Sequence, residues 1–309
     1  MIAVRAPARI DFGGGWTDVP PYPERDGGYV CNVAIALHAH VRLTVRRGAH
    51  DAAPAADALA AAALRAAGVH ADVAITNDFP VGAGLGGSSA AGVALQAALC
   101  RARGEACGPE ALAARSRAVE VDAMGIAGGW QDHIAAAYGG ALGISLGAET
   151  KVRRIEIADT LRERLVRRCV LVYTGETRIS SGNITAVLDA YAQRDPAVTR
   201  ALSRMAALAR LMTASLATGD IDALGRLVAE HWTCQRALHP AITTERIDAI
   251  VEAAAAAGAA GAKALGASGG GCVLVVTGED PAPVQAAVQR FGTLLPWDLD
   301  FTGVTDDTP

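Results

Sequence analysis

Arg9, Asp18, Ser89, Glu120 and Asp132 are the side chains of this 309-residue sequence whose types and settings suit group-transfer chemistry. All but Glu120 lie in or beside a glycine-rich segment. The longest such segment is Pro80-Val81-Gly82-Ala83-Gly84-Leu85-Gly86-Gly87-Ser88-Ser89-Ala90-Ala91. A glycine-rich turn feeding a helix presents unpaired backbone N–H groups at the positive end of the helix dipole. Glycines admit an anion close to the backbone, and the hydroxyls of Ser88 and Ser89 suit phosphate oxygens or a Mg2+ ion. No Gly-Lys-Ser/Thr follows, so this is not a Walker A loop. The plainer alternative is a tight turn with Ser88 as a helix cap.

A second segment, Arg9-Ile10-Asp11-Phe12-Gly13-Gly14-Gly15-Trp16-Thr17-Asp18, leaves a strand into a loop. One carboxylate can accept from two neighbouring hydroxyls, so Asp18 beside Thr17 suits a sugar, and the flat face of Trp16 could stack on its ring. For a lone Asp, a solvated turn is the commoner reading. A third segment, Lys263-Ala264-Leu265-Gly266-Ala267-Ser268-Gly269-Gly270-Gly271-Cys272, enters a strand. Consecutive glycines there cost conformational entropy unless the backbone passes close to something, either a ligand or the base of loop 82–87. Glu120 on a helix and Asp132 in the turn Gly128-Gly129-Trp130-Gln131-Asp132 could flank a phosphate, one holding Mg2+ and the other acting as base. Arg9 could keep the second carboxylate ionised.

The elements that must position these groups follow from periodicity. Residues 2–12, 29–46, 71–77, 141–157, 168–174, 271–277 and 299–303 read as strands. Residues 52–67, 88–103, 109–124, 196–218, 220–238, 243–257 and 281–291 read as helices, punctuated by Gly68, Gly219, Pro240 and Gly258. Strands and helices mix in both halves, which predicts an α+β chain of two lobes, 1–158 and 159–309. Hydrophobic residues make up 51%, but Ala and Gly carry much of that share, and no run matches a membrane span. A net charge of −4 gives no reason to expect nucleic acid. Met1-Ile2-Ala3-Val4-Arg5 reads as the start of a strand rather than a signal peptide, so the cytoplasm is the expected setting. Cys31, Cys100, Cys107, Cys169, Cys234 and Cys272 form no Cys-x-x-Cys pair and read as small buried hydrophobes.

Taken together, the three glycine-rich segments resemble, in order, the motifs of the GHMP kinases (galacto-, homoserine, mevalonate and phosphomevalonate kinases), over nearly the whole chain. The resemblance implies a two-lobed fold: an N-terminal lobe similar to ribosomal protein S5 domain 2 and a C-terminal α/β lobe. It implies ATP on Gly82, Gly84, Leu85, Gly86, Gly87, Ser88 and Ser89, with Mg2+ on Ser89 and Glu120. It makes Asp132 the catalytic carboxylate, with Arg9 beside it, and implies sugar contacts at Trp16, Thr17, Asp18, Gly129, Arg178 and Gly270. Within the family, Gly-Gly-Trp-Thr-Asp-x-Pro-Pro and Gly-Gly-Trp-Gln-Asp resemble the L-fucokinase domain. The segment Leu238-His239-Pro240-Ala241-Ile242-Thr243-Thr244 and the Lys263 motif look like D-glycero-D-manno-heptose 7-phosphate kinase. Trp16 and Trp130 depart from the heptose pattern, as Gly87 and Ser268 depart from the family's second and third motifs. Both branches phosphorylate the anomeric hydroxyl. The expected partner is therefore a small sugar, with neither nucleic acid nor membrane, and the sequence leaves a homodimer open. A substrate already bearing a phosphate would call on Arg46, Arg47, Arg178 or Lys263. Rival readings are a non-catalytic sugar and ATP sensor, and a mevalonate-branch decarboxylase.

Overall fold

The computed structural model describes residues 1–46, 57–177 and 181–307. The first strand, β1 (Ile2–Gly13), leads through a turn and the short helix α1 (Tyr22–Asp26) into β2 (Gly28–Val45). β2 is long and serves three partners: β1 pairs along it, β3 (Ala71–Asn77) takes one end and β4 (Ala141–Leu146) the other. Between β2 and β3, α2 (Ala58–Ala67) starts at an Asp57 cap, whose side chain accepts from Ala60 N, and stops at left-handed Gly68. Of the expected helix 52–67, residues 52–56 lie outside the described residues.

The glycine-rich loop then feeds α3 (Gly87–Ala102), which is buried from Ser89 to Cys100 and packs on both β1 and β2. Its small side chains permit that close seat. The expected helix 109–124 divides into α4 (Pro109–Arg117) and a π-helical turn, Ala118–Ala123. A helix not expected from the sequence, α5 (Gln131–Tyr138), follows. The expected strand 141–157 is a hairpin of β4 and β5 (Lys151–Ile155), because Gly147-Ala148-Glu149-Thr150 breaks it. These strands form a sheet in the order β10-β1-β2-β4-β5, with β3 on β2.

After α6 (Asp159–Arg168) come β6 (Cys169–Tyr173), α7 (Ser181–Ala192), the long α8 (Pro196–Thr218), α9 (Ile221–Arg236) and α10 (Glu245–Ala256). Asp195, Asp220 and Thr244 cap the last three of these helices. Strands β7 (Gly261–Ala264) and β8 (Cys272–Val276), then α11 (Ala282–Val288) and β9 (Thr293–Leu295), complete a second antiparallel sheet, β7-β8-β6-β9. The expected strand 299–303 is a single bridge, Ile35 to Leu299. The chain then returns to the first sheet, where β10 (Thr305–Asp306) pairs with β1.

Helices α8 and α9 pack on each other and both touch β1, with α8 also on β2, so β1 is covered on both faces, as its nearly continuous burial shows. Among the described residues no helix is long and apolar enough to cross a membrane. Cys31, Cys169 and Cys272 are buried thiols as expected, but Cys100 and Cys107 form a disulfide across the α3–α4 turn. Their spacing of seven residues brackets a turn, which the search for Cys-x-x-Cys pairs does not detect.

Candidate functional site

Loop 82–87 is held from behind. Cys272 N donates to Ala83 O at 2.8 Å and Arg9 N donates to Leu85 O at 3.0 Å. The third glycine-rich segment therefore supports loop 82–87, which is the close approach its glycines require. Gly86 caps α3 in the left-handed region, φ 74°, and a Cβ on it would stand 3.1 Å from Asp132 Cγ.

Arg9 is fixed by β1 and almost fully buried. Its Nε and Nη2 donate to Asp132 Oδ1 and Oδ2 at 2.7 and 2.9 Å, and its Nη1 donates to Gly84 O at 2.6 Å. This bidentate fork ties the start of α5 to the loop before α3. Burial opposes the Arg9 charge, yet Asp132, Asp11 and Asp18 outweigh it and hold the guanidinium above its ordinary pKa.

Glu120 projects from the π-helical turn, a widening often found where a side chain must be re-aimed. Its Oε2 accepts from Ser89 Oγ at 3.1 Å and lies 3.1 Å from His133 Nε2. Burial pushes the Glu120 carboxyl up, but hydrogen bonds from His133, Ser88 and Ser89 bring it below the usual range. A hydroxyl and a carboxylate side by side are hard oxygen donors, the set a Mg2+ ion takes.

Two cavities of about 470 Å³ each open here. The first is lined by Trp16, Asp18, Gly129 and Gly266, among others. The second runs along loop 82–87 and reaches Leu59, Phe79 and Met124. Ser88, Ser89, Glu120 and Asp132 line both, so the cavities meet at these groups.

Asp18 is buried at the floor of the first cavity and accepts from Gln131 N at 3.0 Å. Burial chiefly, with the charges of Asp132 and Asp11, pushes its carboxyl up to about 6. Gly129 packs directly on it: a Cβ there would stand 1.9 Å from Asp18 Oδ2. Gly129→Ala is therefore expected to displace Asp18 and weaken binding in this cavity, with nucleotide affinity kept; calorimetry with each ligand separates the two.

All the glycines and serines expected from 82 to 89, with Leu85, line the second cavity. Trp16 lines the first, but is only 6% exposed and packs in a core with Val19, Tyr22 and Ile184. Its indole N–H is buried without a partner among the described residues. Thr17 lines neither cavity. Its hydroxyl donates to Gly14 O at 2.6 Å and accepts from Tyr29 N, which pins the turn instead. Gly266 and Ala267, not Gly270, reach the first cavity. Arg47 and Arg178 lie outside the described residues. Lys263 is not a free cation: its Nζ donates to Asp11 O and Oδ2, both at 2.9 Å, in full burial. Arg46 pairs with Asp72 at the far end of β2, beside β3. Sequence reasoning missed Gln131, which lines the first cavity, and the buried pair Ser116 and His133, which meet at 3.0 Å. The position of Gln131 and His133 beside Asp132 was the available signal.

The family model for the GHMP kinases N terminal domain matches residues 48–140, and that for GHMP kinases C terminal matches residues 204–294. A bifunctional fucokinase/GDP-fucose pyrophosphorylase of Arabidopsis thaliana is 26% identical over 93% of this chain, which spans 31% of that protein's length. A D-glycero-alpha-D-manno-heptose 7-phosphate kinase of Campylobacter jejuni is 23% identical over 87% of each chain. Among solved structures, a D-glycero-D-manno-heptose 1-phosphate kinase from Bacteriodes thetaiotaomicron superposes with a TM-score of 0.79, covering 100% of this chain and 99% of its own at 21% identity. That likeness establishes the shared fold.

Proposed function

Because this chain belongs to the GHMP kinase family, we propose that it transfers the γ-phosphoryl group of ATP to the C1 hydroxyl of a sugar, either an L-fucose-like free sugar or D-glycero-D-manno-heptose 7-phosphate. The observation that carries this reading is the junction of two cavities at Ser88, Ser89, Glu120 and Asp132. ATP lies in the second cavity, its phosphates over the loop and the start of α3. The sugar lies in the first, its ring beside Trp16 and its hydroxyls on Asp18. Asp132 orients the attacking hydroxyl and takes its proton as the bond to phosphorus forms. The Arg9 fork fixes the Asp132 carboxylate while leaving each oxygen a lone pair for the sugar. Ser89 and Glu120 would hold Mg2+, which when bound neutralises charge on the phosphate oxygens.

Among the described residues, Arg9 is the one Arg or Lys that lines the first cavity, and each of its three nitrogens already donates to Asp132 or Gly84. On the described lining alone a sugar without a phosphate of its own fits better; Arg178 lies outside the described residues. A panel of L-fucose, D-galactose, D-mannose and heptose 7-phosphate, assayed for Mg2+-dependent ATP consumption, tests the reading. Turnover of a free sugar supports it, and turnover of heptose 7-phosphate alone moves the assignment to the other branch. No turnover despite nucleotide binding leaves a substrate outside the panel or a sensor.

Asp18→Asn separates binding from stability. Loss of a charged acceptor is expected to weaken sugar affinity by about 10–100-fold, the equivalent of roughly 1.5–3 kcal/mol. Stability moves the other way. The unfolded chain loses the Asp18 proton near pH 4 and the folded chain near 6. The folded state therefore loses stability as pH rises through that window and does not regain it above. The variant should remove this slope and gain on the order of 2 kcal/mol at pH 7, read by urea denaturation at several pH values.

A further inference from the structure

We propose that His133 is a positioning residue for the metal-holding carboxylate: clamped by Ser116, it fixes Glu120 in the orientation that serves the ion. The inference rests on the ATP and Mg2+ reading above and deepens it. Glu120 sits on a π-helical turn, and the contacts that fix its carboxylate come from other elements. His133, on α5, is 2% exposed and places Nε2 3.1 Å from Glu120 Oε2. Its other nitrogen, Nδ1, is 3.0 Å from Ser116 Oγ, on α4.

A serine hydroxyl that donates to Nδ1 puts the imidazole proton on Nε2, where it points at the carboxylate; the network assigns this tautomer. Room for Ser116 is made on α3 by Gly92, where a Cβ would stand 2.4 Å from Ser116 Oγ. Ser89 Oγ donates to the same Oε2 at 3.1 Å, which keeps its lone pairs available. Two helices, α3 through Ser89 and α5 through His133, thus meet on one carboxylate oxygen, and α4 acts on it through His133. Were His133 only a satisfied core residue, the chain of hydrogen bonds would have no reason to end on a group that lines both cavities. Outer partners of metal-holding groups orient them, and their loss costs about 10–100-fold in metal affinity.

Two variants divide the contacts. His133→Gln places an amide N–H where Nε2 sits and gives up Ser116. His133→Asn stays near Nδ1 and gives up Glu120. Each loses one hydrogen bond, so a general loss of stability is shared, and only the contact to Glu120 separates them. Calorimetry with the non-hydrolysable analogue AMPPNP, with and without Mg2+, reads the tightening due to the metal. We expect H133N to lose about 10–100-fold of that tightening while H133Q keeps most of it. The Mg2+ concentration for half-maximal turnover should shift in parallel, with kcat at saturating Mg2+ little changed. Wild-type tightening in H133N, or equal loss in both variants, would overturn the proposal. Because the calorimetry needs no sugar, it decides the role of His133 even if the panel finds no substrate.

Discussion

Asp132→Asn is expected to lower kcat by about 10²–10⁴-fold while ATP affinity stays close to that of the wild type. The substitution keeps the shape of the side chain and removes its capacity to take a proton. It also turns one end of the carboxylate into an N–H donor facing the Arg9 fork, whose bonds to Asp132 are 2.7 and 2.9 Å. Arg9 is buried, so a half-paired guanidinium there costs stability, with the loss of a buried pair, about 3–5 kcal/mol, as the upper bound. Nucleotide calorimetry shows that the folded site persists, and single-turnover phosphoryl transfer reads the chemistry. Near-normal turnover would remove Asp132 from the reaction.

The largest stability effect is expected at a residue that touches neither cavity. Lys263→Met should cost about 3–5 kcal/mol, because it leaves the Asp11 carboxylate charged and unpaired in the interior. Burial raises the cost of the Asp11 charge, but Lys263, His231 and Arg9 hold its carboxyl below the usual range. Its contribution is therefore present at neutral pH and lost as pH falls through that lowered value. Replacing both partners, Asp11→Leu with Lys263→Met, should recover most of the loss. Urea denaturation of the single and double variants measures the difference. A single-variant loss under about 1 kcal/mol would show that the pair is not what joins β1 to β7.

Much of this arrangement was legible in the chain. Loop 82–89 stands out because so many glycines before a helix suit the close approach of an anion to its N-terminus, and the wider frame of strands and helices follows from periodicity. What stayed hidden depends on contacts distant in sequence. Lys263 reads as a spare cation until its partner, 252 positions away, is seen. Thr17 reads as a sugar contact until Tyr29 is found against it. Helix α5 is short and follows two glycines, so local propensity gives it little weight, yet it carries both Asp132 and His133. The π-turn that carries Glu120 has no sequence signature, since its extra residue becomes visible only in the hydrogen-bond register.

The most direct test of phosphoryl transfer to a sugar's C1 hydroxyl is phosphorus NMR of the product formed from ATP and the sugar that turns over fastest. The account predicts a phosphomonoester coupled to the anomeric proton, formed together with ADP. A phosphate on any other hydroxyl, or ADP release with no phosphosugar, would contradict it.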